Sequence, residues 1–172
     1  MGAQPYRIFR RQKMKSMEGQ ANLLEAGNSD KQKLQIKVLE ISENILGPEH
    51  SDTSLALHNL GLTYYDLGKF DKALNAQIKS LEIHEKIFGR THIFTASALN
   101  NLGLTYSALA KYEMAIPLQV EVLEIREKEL GPNHSDTALA LNNLADSYFD
   151  LALYEKSLPL EIRAVAITKK VL

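Results

Sequence analysis

Apolar residues recur along the chain at helical spacing. Leu57, Leu60, Gly61, Tyr64 and Leu67 fall within an arc of about 120° when each residue advances about 100°, which predicts a helix near 52–67. After a break at Leu67-Gly68-Lys69-Phe70, a second apolar run (Ala73, Leu74, Leu81, Ile83 and Ile87) predicts another helix ending at Phe88-Gly89. The pattern then starts again. Gly47, Gly89 and Gly131 are 42 positions apart, and the same step links His50, His92 and His134, then Thr53, Thr95 and Thr137. Asn59, Asn101 and Asn143 follow it too, as do Leu60, Leu102 and Leu144, and Tyr64, Tyr106 and Tyr148. Identity at these columns in three ungapped copies makes the repeat the organising feature of the chain.

Each unit reads as two antiparallel helices joined by short turns. Gly47, Gly89 and Gly131 stand where a helix ends in a left-handed residue, and Pro48 and Pro132 beyond them cannot continue it. Ser51, Thr91 and Ser135 offer hydroxyls to cap the next helix, with Asp52 and Asp136 in its positive first turn. Pro117 and Pro159 are expected near the first turn of second helices, where a missing N–H costs little. Neither helix of a pair can bury its apolar stripe alone, so the pairs are expected to stack.

The full units run over 47–88, 89–130 and 131–172. Upstream, Gln35-Ile36-Lys37 and Leu39-Glu40-Ile41 match Gln77-Ile78-Lys79 and Leu81-Glu82-Ile83, so 21–46 reads as a degenerate first repeat whose first helix, near 12–26, has lost the pattern. At the other end Ile162, Val165 and Ala166 lie on a face with no polar capping helix after it. That face is expected to be partly exposed, as part of a longer array or as a surface that binds something.

Composition narrows the function. With 45% apolar and 24% charged residues the 172-residue chain suits one globular unit or short array. Lys and Arg number 20 against 21 Asp and Glu, a net charge of -1, so no broad field draws it to nucleic acid or anionic lipid. Arg7, Arg10, Arg11, Lys13 and Lys15 against Glu18 make 1–20 a basic leader, expected to be poorly ordered or a short helix. The absence of cysteine removes disulfides, thiolate nucleophiles and cysteine-ligated metal sites. No run approaches the roughly 18 to 20 apolar residues of a membrane span, and the first residues hold no apolar secretory core, so the cytoplasm is the expected compartment.

Leu57-x-x-Leu60-Gly61-x-x-Tyr64 followed by Ala73 resembles the tetratricopeptide pattern. The 42-residue period, Leu99-Asn100-Asn101-Leu102-Gly103 and Gly131-Pro132-Asn133-His134-Ser135-Asp136-Thr137 are similar to the longer variant found in kinesin light chains. The resemblance covers roughly 31–172 and implies an all-α, right-handed α-solenoid of stacked antiparallel helix pairs. Three columns depart from the commoner pattern. Leu57, Leu99 and Leu141 stand in place of Trp, Gln77, Gln119 and Glu161 in place of an aromatic, and Ser157 in place of the small Ala of Ala73 and Ala115.

The resemblance also implies that first helices line the inside of the superhelix, with Asn59, Asn101 and Asn143 in a row along a concave groove. Helices pack about 8 to 10 Å apart and an extended peptide rises about 3.3 Å per residue, so each rung meets about every third residue of a bound strand. An amide side chain both donates and accepts, and therefore pairs with peptide backbone whatever the ligand sequence. Cross-linking of neighbouring first helices is the alternative role for these asparagines. Selectivity would come from variable neighbours: His58 against Asn100 and Asn142, Leu62 and Leu104 against Asp146, Tyr65 and Phe149 against Ser107, and Asp66 and Asp150 against Ala108. The acids suit a ligand with Lys or Arg, the apolar residues an apolar anchor; packing against adjacent first helices is the alternative role for Leu62 and Leu104.

Enzyme readings find little footing. His50, His92 and His134 lie one repeat apart, too far to share a metal with ligands at about 2.0 to 2.1 Å, and are expected to brace the inter-repeat turn. No phosphate loop, nucleophile elbow or zinc signature appears. The sequence therefore predicts a noncatalytic scaffold without cofactor or metal that binds an extended peptide or short helix of a partner protein. The alternative is an architectural spacer, or a segment that self-associates end to end through 155–172.

Overall fold

The computed structural model describes residues 27–171, and the helical period governs that span. Helix α1 occupies 27–46. It is followed by α2 (Ser51–Asp66), α3 (Phe70–Phe88), α4 (Ile93–Ala108), α5 (Tyr112–Glu129), α6 (Ser135–Asp150) and α7 (Tyr154–Val171). No strand occurs among the described residues. The basic leader 1–20 and the expected helix near 12–26 lie outside them.

Helices α2, α4 and α6 each pack against the helix that follows, and α3 and α5 pack in turn against the first helix of the next unit. Helix α2 also touches α4, and α4 touches α6, so the first helices share a face. The core is a repeated one. Leu57, Leu99 and Leu141, in the column where tryptophan is commoner, are 4%, 0% and 0% exposed. Leu60, Leu102 and Leu144 are buried beside them, each leucine contributing about 1.5–3 kcal/mol by leaving water. Helix α1 joins this core through Leu39, which packs on Leu57, Ala76 and Ile83. Gly61 lets α3 come close to α2, since a Cβ there would stand 2.9 Å from Gln77 Cγ.

The turns between units use glycine at positive φ, and at Gly89 not in the expected well. Gly47, Gly89 and Gly131 have φ of 95°, 86° and 97°, and ψ of 161° at Gly89 puts it in an extended mirror region that is essentially closed to side chains. The repeated threonines fasten these turns: Thr53, Thr95 and Thr137 donate from Oγ1 to the carbonyls of Gly47, Gly89 and Gly131 at 2.7, 2.7 and 2.8 Å.

The expected hydroxyl caps are replaced by histidines. Nδ1 of His50, His92 and His134 accepts from the backbone N–H of Asp52, Phe94 and Asp136 at 3.1, 3.2 and 3.1 Å. A cap residue must be extended, as His50 is with φ -77° and ψ 149°, whereas Ser51 and Ser135 are already the first helical residues. Thr91 stands one place too early.

Pro117 and Pro159 fall at the sixth position of α5 and α7, in the second turn and not the first. Each therefore removes one intrahelical bond, to the carbonyls of Glu113 and Glu155.

Candidate functional site: a polar cavity on the face of the first helices

The face shared by α2, α4 and α6 carries the repeated asparagines. Asn59 is exposed, and Asn101 and Asn143 are half-buried. Asn101 Nδ2 donates to His58 Nε2 at 3.3 Å, and Asn143 Nδ2 donates to Asn100 Oδ1 at 3.0 Å. These bonds are one repeat apart and equivalent, since His58 and Asn100 share a column. Each links neighbouring first helices, the alternative role the sequence left open. The amide oxygens of Asn101 and Asn143 make no hydrogen bond among the described residues. Asn100 was expected in the open arc, but it is 8% exposed because its amide is tucked against Asn143 across the α4–α6 seam. Burial, and secondly the nearby His84, hold the His58 imidazole below its usual pKa, which suits a neutral ring accepting a hydrogen bond from Asn101.

Further along this face, five of the expected residues converge on one cavity of about 210 Å³: Tyr65 from α2, Leu104 from α4, and Asn143, Asp146 and Asp150 from α6. The opening exists because Ser107 stands where the equivalent columns carry the rings of Tyr65 and Phe149. Gln119 reaches the cavity from the second helix α5, and Ser147 lines it from α6. Gln119 Nε2 donates to Ser107 Oγ at 3.2 Å, and that hydroxyl lies 2.9 Å from Ser147 Oγ. Gln119 Oε1 is buried without a partner among the described residues.

Asp146 is pushed above the ordinary carboxylate range, first by burial and then by the negative charges of Asp150 and Glu161. Asp150 Oδ2 accepts from the Tyr112 hydroxyl at 3.0 Å. Asp66, the Asp150 equivalent one end of the array away, lies outside the cavity and faces Lys31 Nζ at 3.9 Å. Leu62 and Asn142 are exposed elsewhere on the face, and Phe149 packs edge-on to Tyr154 with ring centroids 5.2 Å apart. Sequence reasoning did not place Gln119 or Ser147 at the site. The available signal was the glutamine column itself: a polar residue where the pattern has a buried aromatic needs partners, and those partners line the cavity.

Among the described residues no group of three or more His, Cys, Asp or Glu is placed to hold a metal ion, and no helix is long and apolar enough to cross a membrane.

The family model described as Tetratricopeptide repeat matches residues 32–86, 56–128 and 108–170. No curated protein matches the chain. Among solved structures, BtubC (BKLC) from P. vanneervenii is 22% identical over 85% of this chain and 58% of its own, with a TM-score of 0.78. The chain thus spans 58% of the length of BtubC. A putative kinesin light chain from Podosopora anserina with nearly identical TPR-like repeats is 21% identical over 94% of this chain and 77% of its own, at a TM-score of 0.76. The apo form of RapI is 20% identical over 95% and 67%, at 0.64. At these identities the likeness is one of fold. Tetratricopeptide arrays generally mediate protein–protein interaction. With stacked helix pairs, a 42-residue period and matched spans over most of its length, the chain belongs to the tetratricopeptide repeat family, as an all-α, right-handed α-solenoid whose fold is like that of the putative kinesin light chain.

Proposed function

We propose that the array is a noncatalytic scaffold that holds an extended peptide, or a short helix, of a partner protein along the face shared by α2, α4 and α6. The observation that carries this reading is the cavity, on which residues of three successive repeats converge. A chain lying across the repeats would meet all of them. Asn101 and Asn143 each keep an amide oxygen for ligand backbone, and the exposed Leu62 and Phe149 supply apolar contact. Peptides of twelve residues selected from a random library against the full chain provide the test, with affinity read by fluorescence polarisation. Replacing Asn101→Ala and Asn143→Ala together should weaken binding of the folded variant by about tenfold or more, the worth of one or two hydrogen bonds, beside the fall in melting temperature that loss of the two cross-helix bonds brings. A lowered melting temperature with binding unchanged assigns both amides to helix cross-linking and removes the rungs.

A second reading, end-to-end self-association, is favoured by one feature. Leu158, Ile162 and Val165 on α7 are 58%, 62% and 52% exposed and line an apolar depression of about 420 Å³. Light scattering across concentration decides it: a mass that grows with concentration supports self-association, and a constant monomer mass removes it.

A further inference from the structure

The junction between the second and third repeats departs from the repeat in a way that selects a ligand chemistry. We propose that its cavity is a socket for one lysine side chain of the partner, whose ammonium sits among Asp146, Asp150 and the amide oxygen of Gln119. This rests on the reading that the shared face holds a partner chain.

The preceding junction shows what the socket lacks when closed. There the Tyr65 ring occupies the column of Ser107, Leu104 and Ala108 occupy the columns of Asp146 and Asp150, and Thr105 occupies that of Ser147. Thr105 Oγ1 donates to Gln77 Oε1 at 2.8 Å, which satisfies the amide oxygen and leaves the donor Nε2 as the atom without a partner among the described residues. One repeat later all four columns change together. Ser147 pairs with Ser107 instead, so Gln119, itself 3% exposed, keeps an amide oxygen with no donor among the described residues. A buried acceptor without a donor is a standing cost that a ligand N–H removes.

Charge points the same way. Asp146 and Asp150 are one helical turn apart on α6, where like charges oppose each other. Among the described residues no Lys or Arg pairs with either, whereas Asp66 in the first repeat faces Lys31 at 3.9 Å. The Tyr112 hydroxyl occupies one oxygen of Asp150 and leaves the rest of the acidic pair free. Asp146 is exposed at the cavity rim, and its raised pKa reflects partial desolvation there together with the negative charges of Asp150 and Glu161.

Size and shape choose among cations. A cavity of about 210 Å³ is smaller than the roughly 300–1,000 Å³ typical of small-molecule sites, and suits the end of a side chain. Tyr65, Leu104 and Ala108 form an apolar wall for the methylene stem. An ammonium has three donors and no acceptor, which matches a lining that includes the carboxylates of Asp146 and Asp150 and the amide of Gln119. A guanidinium is a rigid planar fork that prefers one carboxylate held bidentately.

The experiment uses the full chain and twelve-residue peptides selected from a random library. Selected peptides should share a lysine at one register, and replacing it by norleucine should weaken binding about tenfold or more, as loss of charge-assisted hydrogen bonds does. The variants Asp146→Asn and Ser107→Tyr should bind the lysine and norleucine peptides equally. Ser107→Tyr installs the side chain that position 65 already carries, and melting by circular dichroism verifies that each variant is folded. Peptides that depend on Asn101 and Asn143 but tolerate norleucine overturn the socket and leave the groove standing. Lysine dependence that persists in both variants also overturns it, since the lysine is then read elsewhere. If no selected peptide responds to the socket variants or to the asparagine variants, both readings fall.

Discussion

At the scale of the residue, Gly61 and Gly103 illustrate how equivalent positions acquire different tolerances. A Cβ at Gly61 would lie 2.9 Å from Gln77 Cγ, and one at Gly103 would lie 3.3 Å from Gln119 Cγ. Gln77 is buried and its amide is held by Thr105, so it has little freedom to move aside. Overpacking of about 1–3 kcal/mol should therefore outweigh the roughly 1 kcal/mol that alanine gains over glycine in a helix. Gly61→Ala is expected to lower the melting temperature by several degrees, whereas Gly103→Ala should leave it within about two degrees of the parent. Thermal denaturation of the two variants side by side checks the contrast. The third copy of the column already holds Ala145, fully buried.

At the scale of the element, the helices owe their starts to an imidazole. His134 caps α6 by accepting the Asp136 N–H at 3.1 Å, just as His50 and His92 cap α2 and α4. His134→Ala should cost about 0.5–2 kcal/mol, the usual loss for a side-chain cap, and His134→Asn should restore most of it. Urea denaturation of the pair reads this directly, and equal destabilisation by both would show that the ring acts by packing and not by capping. Second helices begin differently. Lys69 and Lys111 precede α3 and α5 without a side-chain cap, and the turns before them rely on left-handed Gly68 and Ala110, with φ of 66° and 56°. An alanine in that conformation costs roughly 1–2 kcal/mol, which the packing of the pair must offset.

At the scale of the whole molecule, stability is a sum of units and the seams between neighbours. His58 sits in the first seam and is held below the usual imidazole pKa by burial and by His84. The unfolded chain, with a value of about 6.5, takes up this proton at higher pH than the folded one. The contribution of neutral His58 is therefore complete above about pH 6.5 and is lost as pH falls from there towards the lower folded value. His58→Asn, which reproduces the Asn100–Asn143 bond of the next seam, should shrink the drop in melting temperature between about pH 7.5 and pH 5.5. The variant keeps the other four histidines, so the difference reads the loss of His58 and of its interaction with His84. An unchanged drop would mean that the His58 seam does not sense its proton.

The sequence by itself determined the 42-residue period, the pairing of helices and the buried leucine columns. The helix expected near 52–67 is found at Ser51–Asp66, because apolar spacing on a helix is set within a few turns of one segment and is repeated for every copy. The asparagine column was legible for the same reason. Only tertiary structure decided that Asn100 is covered while Asn59 stays open, that histidines take the caps, and that Gln119 from α5 meets Asp146 and Asp150 from α6 around the gap left by Ser107. A cavity belongs to no single segment: it is the space four helices from three successive repeats fail to fill, and its depth depends on how closely they approach.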